Sequence, residues 1–394
     1  MKEQYLRYQY RIYPTKQQEQ KLKQFCGTTR YVWNHFLGHN IAHHKEHGKF
    51  IFYHDMAGLL TKLKKQLPWL KNTHSQVLQQ KLKDLDTALN NCIKHKRGFP
   101  KFKCKSNFSD SFRYQQGIKH EKNKVYLPKI GWVKEKTHRP LPSTPKTTTI
   151  IMDGDKWFIS YVVKKNCESP VKVTNEVGLD LGIKDFLVTS DNVYYENPKF
   201  LDRSLKKLQR KQRQLSRKKK GSNNRKKQQL VVYKQHQKIR FQRHDYLHQI
   251  SSQITNDYDL ICMEDLNVSG MIKNRKLSRQ IGQIGWGMFL NMIMYKSELK
   301  GKHTVKIDRF APSSKTCSSC GKKHDISLAD RVITCDCGHI MNRDLNAAIN
   351  IRDWGTFKFN TSGTGEINAC GVSPVDGNID TDTLKQEAMS FRAW

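Results

Sequence analysis

Three acidic residues stand in settings where a carboxylate is costly. Asp180 lies in VGLDLGI, Glu264 closes the apolar run LICME, and Asp344 lies in NRDLNAA. A charge embedded among apolar residues is unfavourable unless it is paired or binds a cation. Three carboxylates brought together would hold two Mg2+ or Mn2+ ions about 4 Å apart, the arrangement for in-line phosphodiester cleavage: one ion activates water and the other stabilises the leaving 3′ oxygen. Convergence is not visible in spacing, and a single acid of this kind is more often a strand-end surface residue. Asp265 beside Glu264 is an alternative for the middle place.

A second donor set is denser. Cys317 and Cys320 form C-x2-C, 14 residues separate them from Cys335, and Cys335 and Cys337 form C-x-C. Four thiolates at this spacing match a closed structural Zn2+ site, and Gly321 and Gly338 after the two pairs suit the tight turns. His324 and His339 are possible substitutes for one thiolate. The other six cysteines are scattered, as expected in a reducing cytoplasm rather than in a disulfide framework.

The elements that must position these groups follow in chain order. A strand at residues 8–12 leads to a helix opened by Pro14 and Thr15, and two more helices follow in DMAGLLTKLKKQL and SQVLQQKLKDLDTALNNCIKHK. In KHKRGFPKFKCKSNFSDSFRY, basic residues alternate with Phe99, Phe102, Phe108, Phe112 and Tyr114. Lys101, Lys103 and Arg113 are candidate phosphate contacts there and Phe102 a base-stacking one. The same pattern also suits a strand with half-buried rings. Residues 125–165 read as strands with a hairpin at Asp153-Gly154-Asp155, forming a small barrel or sandwich. EVGLDLGIKDFLVTSDNVYYE reads next as a strand, a turn near Asp191-Asn192 and another strand.

Residues 203–244 hold 17 Lys or Arg and no acid, and read as basic helices broken near Gly221-Ser222-Asn223. Lys206, Lys207, Arg210, Arg217, Lys218 and Arg225 are candidate nucleic-acid contacts there, although such a run is usually a solvated face. YDLICME reads as a strand, IGQIGWG as a Gly-rich turn before a helix, and HTVKID as a strand entering the cysteines. The last forty residues read as a flexible tail.

The chain's 394 residues allow two or three domains. Its 71 Lys plus Arg against 35 Asp plus Glu give a formal charge of +36, which calls for a polyanionic partner bound with steep salt dependence. No apolar run is long enough to cross a bilayer and the N-terminus lacks a signal peptide, so a cytoplasmic protein is expected. No phosphate-cradling P-loop, helicase motif or Ser, Tyr or Cys nucleophile constellation is present.

GLDLGIKDFLVTSD, ICMEDLNVSGM, FAPSSKTCSSCG and CDCG…NRDLNAAINI resemble the motifs of TnpB, the RuvC-like nuclease family of bacterial and archaeal insertion sequences and a relative of type V CRISPR effectors. YRIYPTKQQEQKLKQFCGTTRYVWN and the GTGEINACGVSP…LKQEA tail resemble that family too. The resemblance implies an RNA-guided, metal-dependent DNA endonuclease. It would bind a guide RNA from the transposon end and cut complementary double-stranded DNA beside a short adjacent motif. Family members that have lost nuclease activity act as RNA-guided regulators, and an RNase H-like transposase joining DNA ends directly would use the same acids. The three acids, by motif, are Asp180, Glu264 and Asp344; many members read DRD where this chain has Asn342-Arg343-Asp344. C-x-C also occurs among relatives, which favours Cys335 and Cys337 over His339.

The implied fold is an α+β multidomain: an RNase H-like (RuvC) core with an inserted zinc ribbon, and an N-terminal β-barrel wedge domain with an inserted helical recognition domain. The expected boundaries are 1–15 and 118–172 for the wedge, 16–117 for the helices, and 173–310 and 340–356 for the core with a basic insertion at 203–245. The ribbon would be 311–339, with 322–332 as a lid, and the tail 357–394. Tyr53, Ser75, Gln76, Phe99 and Phe112 mark the region expected to read the adjacent motif, and a monomer is expected.

Overall fold

The alternating run YLRYQYRI folds as strand β1 (Glu3–Tyr13), which buries Tyr10 and Ile12. These assignments come from a computed structural model, which describes residues 2–105, 108–274, 277–327 and 330–361. The chain divides into two compact units, Glu3–Lys165 and Asn166–Trp394 with Met1–Lys2.

In the first unit, β1 is followed by α1 (Lys16–His47), α2 (Tyr53–Gln66) and α3 (Ser75–His95). Thr15 caps α1 in a reciprocal capping box with Gln18, and Gly48 ends it at φ +69°. Strands β2 (Ser109–Tyr114), β3 (Lys119–Glu121), β4 (Lys124–Leu127), β5 (Gly131–Lys136), β6 (Thr147–Asp153) and β7 (Lys156–Asn166) complete it. The sheet order is β2-β6-β7-β1-β5-β4-β3. The hairpin expected at Asp153-Gly154-Asp155 joins β6 to β7, with Gly154 at φ +70°. Tyr114 Oη on β2 donates to Pro128 O beyond β4 at 3.1 Å, so the two flanks of the sheet curl towards each other. Among the described residues no ladder joins β2 to β3, so the expected barrel is a curled open sheet.

Two corrections concern boundaries. Residues 109–114, expected in the helical domain, pair with β6, because Phe112 and Tyr114 complete the sheet's core beside Phe25 of α1. Residues 167–171, expected with the wedge, belong to the second unit. Glu168 and Val171 N–H groups donate to Leu299 O and Gly301 O, each at 3.0 Å.

The second unit begins with β8 (Glu176–Asp180), β9 (Asp185–Thr189), β10 (Tyr194–Glu196), α4 (Phe200–Ser216) and α5 (Asn223–Asp257). It continues with β11 (Leu260–Glu264), α6 (Val268–Met271), α7 (Ser278–Ile284), α8 (Trp286–Leu299) and β12 (His303–Ile307). It closes with β13 (Val332–Thr334), β14 (Ile340–Asn342) and α9 (Arg343–Thr361). Its sheet runs β10-β9-β8-β11-β12; β8, β9 and β10 form an antiparallel meander, and β11 lies parallel to both β8 and β12.

The basic helices break where expected: Ser222 caps α5 through its side chain, and Gly221 before it has φ +84°. The helix that carries the basic stretch does not end at 245, however. α5 is one 35-residue helix whose later turns place Leu247, Ile250 and Ile254 in the core with Phe186 and Phe289. IGQIGWG is not turn throughout either, since its first four residues lie in α7 and Gly285, at φ +80°, makes the turn into α8.

α9 lies on β8 and β11 because both crossings are glycine contacts. A Cβ at Gly178 would meet Ala348 O at 2.0 Å, and one at Gly355 would meet Cys262 Sγ at 2.3 Å. The helix extends through Thr361, so residues 357–361 are helical where a flexible tail was expected; 362–394 lie outside the described residues. No described helix is long and apolar enough to cross a membrane.

Candidate active site and metal centre

Parallel pairing puts two of the predicted acids side by side. Met263 on β11 pairs with Leu179 on β8, and Glu264 and Asp180 are the next residue on each strand. Asp344 enters from the first turn of α9, which packs on both strands. The three are electrostatically coupled. Asp180 is held well above the usual carboxylate range, first by desolvation and then by repulsion from Glu264 and Asp344, with Arg343 opposing. Glu264 is also raised by burial, against the hydrogen bond that Ser313 Oγ donates to its Oε1 at 2.8 Å. Asp265 points elsewhere, taking a 2.6 Å bond from Arg309, so Glu264 is the acid of the pair that faces Asp180.

Asn342, the departure from DRD, is the cap of α9. Its Oδ1 accepts from the N–H of Asp344 at 2.9 Å and of Leu345 at 3.3 Å. Asn and Asp serve this position about equally well. Arg343 and Arg331 flank the Asp344 carboxylate at 3.3 and 3.9 Å. A divalent cation suits this donor set: hard oxygen ligands whose mutual repulsion a positive ion would relieve.

The four cysteines converge, with all their sulfurs within 4.8 Å of one another. Cys317 and Cys337 Sγ lie 3.9 Å apart, and Cys320 and Cys335 Sγ 3.5 Å apart. Four sulfurs about 2.3 Å from a tetrahedral Zn2+ lie ~3.8 Å from one another, so the cage fits that ion. Gly321 and Gly338 have φ +76° and +84°, and their N–H groups donate to Cys317 O and Cys335 O, each at 2.9 Å. The His339 backbone N–H leads in lowering the Cys337 thiol to about 7. His339 itself faces Ser318, Nε2 to Oγ 3.3 Å, and neither histidine joins the sulfur cluster. The stretch between β12 and α9 carries all four cysteines, with β13 and β14 paired as its hairpin. The lid stretch 322–332 includes residues 328 and 329, outside the described set.

The two centres share a scaffold that the sequence reading missed. Asn350 Nδ2 on α9 donates to Ser313 O at 2.8 Å and to Thr316 O at 2.7 Å. Asn346 Nδ2 donates to Thr316 O at 2.7 Å, and its Oδ1 accepts from Ser318 N at 2.9 Å. Both side chains are buried. The segment they clamp carries Ser313, which orients Glu264, and Cys317. Two asparagines four apart within the apolar run LNAAINI were the available signal.

The predicted nucleic-acid contacts divide. Phe102 is 58% exposed, Lys101 is exposed, and Lys103 sits over the Trp33 ring at 4.1 Å. Lys206, Lys207, Arg210 and Arg217 are exposed on α4 or just beyond it, and Lys218 is half-buried. Arg113 instead pairs with Asp84, and Arg225 Nη1 donates to Leu215 O and Lys218 O at 2.8 and 2.9 Å, closing the end of α4. Phe112 is 1% exposed in the sheet core, which removes it from any motif-reading surface. Of the others, Ser75 accepts from Lys64 at 3.1 Å, Tyr53 lies under Lys83, Gln76 is half-buried and Phe99 is 41% exposed.

The architecture thus defines an α/β protein with three coupled acids at one end of a mixed sheet and a four-cysteine cage beside them. Three family profiles match it: "Probable transposase" over 158–275, "Cas12f1-like, TNB domain" over 286–351, and a "Helix-turn-helix domain" over 1–49. The chain is 33% identical over 366 residues to "Putative RNA-guided DNA endonuclease InsQ" of Escherichia coli (strain K12), covering 87% of this chain and 90% of that protein. It is 34% identical over 358 residues to a "Putative RNA-guided DNA endonuclease" of Streptomyces pristinaespiralis, covering 87% and 88%. The chain belongs to the TnpB family. A solved Cas12f1–sgRNA–target DNA complex overlaps 89% of this chain and 99% of that one at 17% identity with a TM-score of 0.35, too loose an overlap to carry an argument.

Proposed function

We propose that this protein is an RNA-guided, divalent-metal-dependent DNA endonuclease with Asp180, Glu264 and Asp344 as its metal-binding catalytic acids. The observation that carries the reading is the coupling of the three: Asp180 and Glu264 end neighbouring parallel strands, and Asp180 is repelled by both other acids. The strand order, an antiparallel meander continued by parallel β11 and β12, supports an RNase H-like core.

The chain's own groups have separable tasks. Asp180, Glu264 and Asp344 would hold the divalent cations, Glu264 in the orientation that Ser313 imposes and Asp344 released from Arg343 and Arg331. Bound there, divalent cations would activate a water and stabilise the leaving 3′ oxygen. Cys317, Cys320, Cys335 and Cys337 would hold a structural Zn2+ beside this centre. The +36 charge suits two polyanions, a transposon-derived guide RNA and double-stranded target DNA, with base pairing reading the sequence and the protein a short adjacent motif. Exposed α4 residues supply phosphate contacts. The reading places the protein in a prokaryotic cytoplasm.

The test is to co-express the chain with its native flanking DNA, sequence the RNA retained after a high-salt wash, and programme cleavage from it. Guide-dependent cutting with Mg2+, lost in Asp180→Ala, is expected. Joined DNA ends formed without RNA would instead establish strand transfer, and RNA-dependent DNA binding with no cutting would establish a regulator.

A further inference from the structure

Phe310 is 87% exposed, the most exposed large hydrophobic residue among those described. Burying a ring is the ordinary outcome of folding, and this one is held out by specific bonds. Its own N–H donates to Asp308 Oδ1 at 2.7 Å. Its neighbour Arg309 donates to Asp265 O at 2.9 Å and to Asp265 Oδ2 at 2.6 Å. The loop after β12 is therefore tied to the end of β11, and Phe310 projects from it.

The ring borders an open cavity of about 420 Å³, lined also by Asp265, Lys306, Asp308, Arg309 and Lys358. Lys358 Nζ donates to Lys306 O at 2.9 Å, which brings two ammonium side chains to one wall. Both carboxylates are engaged, Asp308 with the Phe310 N–H and Asp265 with Arg309 and Lys306. The excess is cationic, around an aromatic face. Three residues beyond Phe310, Ser313 holds Glu264; three residues of chain span at most ~10 Å.

We propose that Phe310 is a stacking platform for a base of the single-stranded DNA segment flanking the scissile phosphate, with Lys306, Arg309 and Lys358 around its phosphates. An aromatic face beside cations is how proteins grip unpaired bases without reading their sequence. Double-stranded DNA offers no free base face to such a ring, so the occupant is an unpaired strand. This inference rests on the nuclease reading for the scissile phosphate that the strand flanks, but not for the existence of the platform.

The test uses the RNA-loaded protein carrying Asp180→Ala, so that nothing is cut, and single-stranded oligodeoxynucleotides with 2-aminopurine at successive positions. Quenching at one or two neighbouring positions is expected. Phe310→Ala should abolish it and weaken binding about 5- to 150-fold, the range for one stacked base, whereas Phe310→Trp should retain both. In the otherwise unaltered protein, Phe310→Ala should raise KM more than it lowers kcat. Melting unchanged from the parent shows that the variant is folded, as expected for so exposed a side chain. Unchanged quenching and affinity in Phe310→Ala would overturn the platform, as would loss of binding to an RNA oligonucleotide only. Quenching in a protein that never cuts would uphold the platform and overturn the nuclease reading alone.

Discussion

Replacing Asn350 by Asp tests whether α9 holds the two centres together. The native side chain donates to Ser313 O at 2.8 Å and Thr316 O at 2.7 Å while 4% exposed. The substitution sets a carboxyl oxygen against two carbonyl oxygens and removes both donors. Thr316 O keeps Asn346 as a partner, but Ser313 O is left without this one. An unpartnered buried polar group costs about 1–3 kcal/mol, and for a unit of this size each kcal/mol lowers Tm by ~2–4 °C. The introduced acid, buried against carbonyls, has a folded-state pKa above its unfolded one. Its penalty therefore grows as pH rises from the ordinary carboxylate value through that raised value. The variant should melt lower than the parent at pH 8 and lose less at pH 5. Because the displaced segment carries Ser313 and Cys317, zinc transfer to a chromogenic chelator should quicken, and cleavage should fall about 10- to 100-fold, as for groups that orient metal ligands. Asn350→Ala should be milder and independent of pH. An Asn350→Asp protein with parental melting at pH 8, parental zinc retention and parental cleavage would refute the clamp.

Gly178→Ala should destabilise the second unit by the upper part of the ~1–3 kcal/mol typical of overpacking, since its methyl would sit 2.0 Å from Ala348 O. Gly282→Ala, which meets nothing within 4 Å, should not, and paired melting curves decide. Ser313→Ala removes the donor that lowers Glu264, leaving the burial that raises it. The acidic limb of the pH–rate profile should move to higher pH with about a 10- to 100-fold loss at neutrality; a profile that drops without moving would refute that role. Asp180→Asn should abolish cleavage yet raise the Tm of the metal-free protein. Asp180's folded pKa is raised by burial, Glu264 and Asp344, so native stability falls as pH climbs through that raised value. Mg2+ should stabilise the parent and leave this variant unmoved.

Patterns set by chain-local chemistry were legible from the sequence alone. Apolar periodicity and capping signals placed α1 and the hairpin at Gly154, because Thr15, Gln18 and a positive-φ glycine act over two to four residues. Cysteine spacing announced the sulfur cage for the same reason: each pair closes on its own glycine turn. Other features required contacts distant in sequence. Phe102 and Phe112 sit in one basic-aromatic run, yet one is solvent-exposed and the other fills the sheet core, a distinction made by the pairing of β2 with β6. Arg113 and Arg225 looked like their basic neighbours until the fold supplied Asp84 and the end of α4. The acids could be named from their apolar surroundings, but only parallel pairing of β8 with β11, and α9 lying on both through Gly178 and Gly355, sets them against one another. Residue type and local spacing thus declared which groups bear the chemistry, and tertiary structure decided which of them meet, because charge repulsion, burial and hydrogen bonding depend on distances in space.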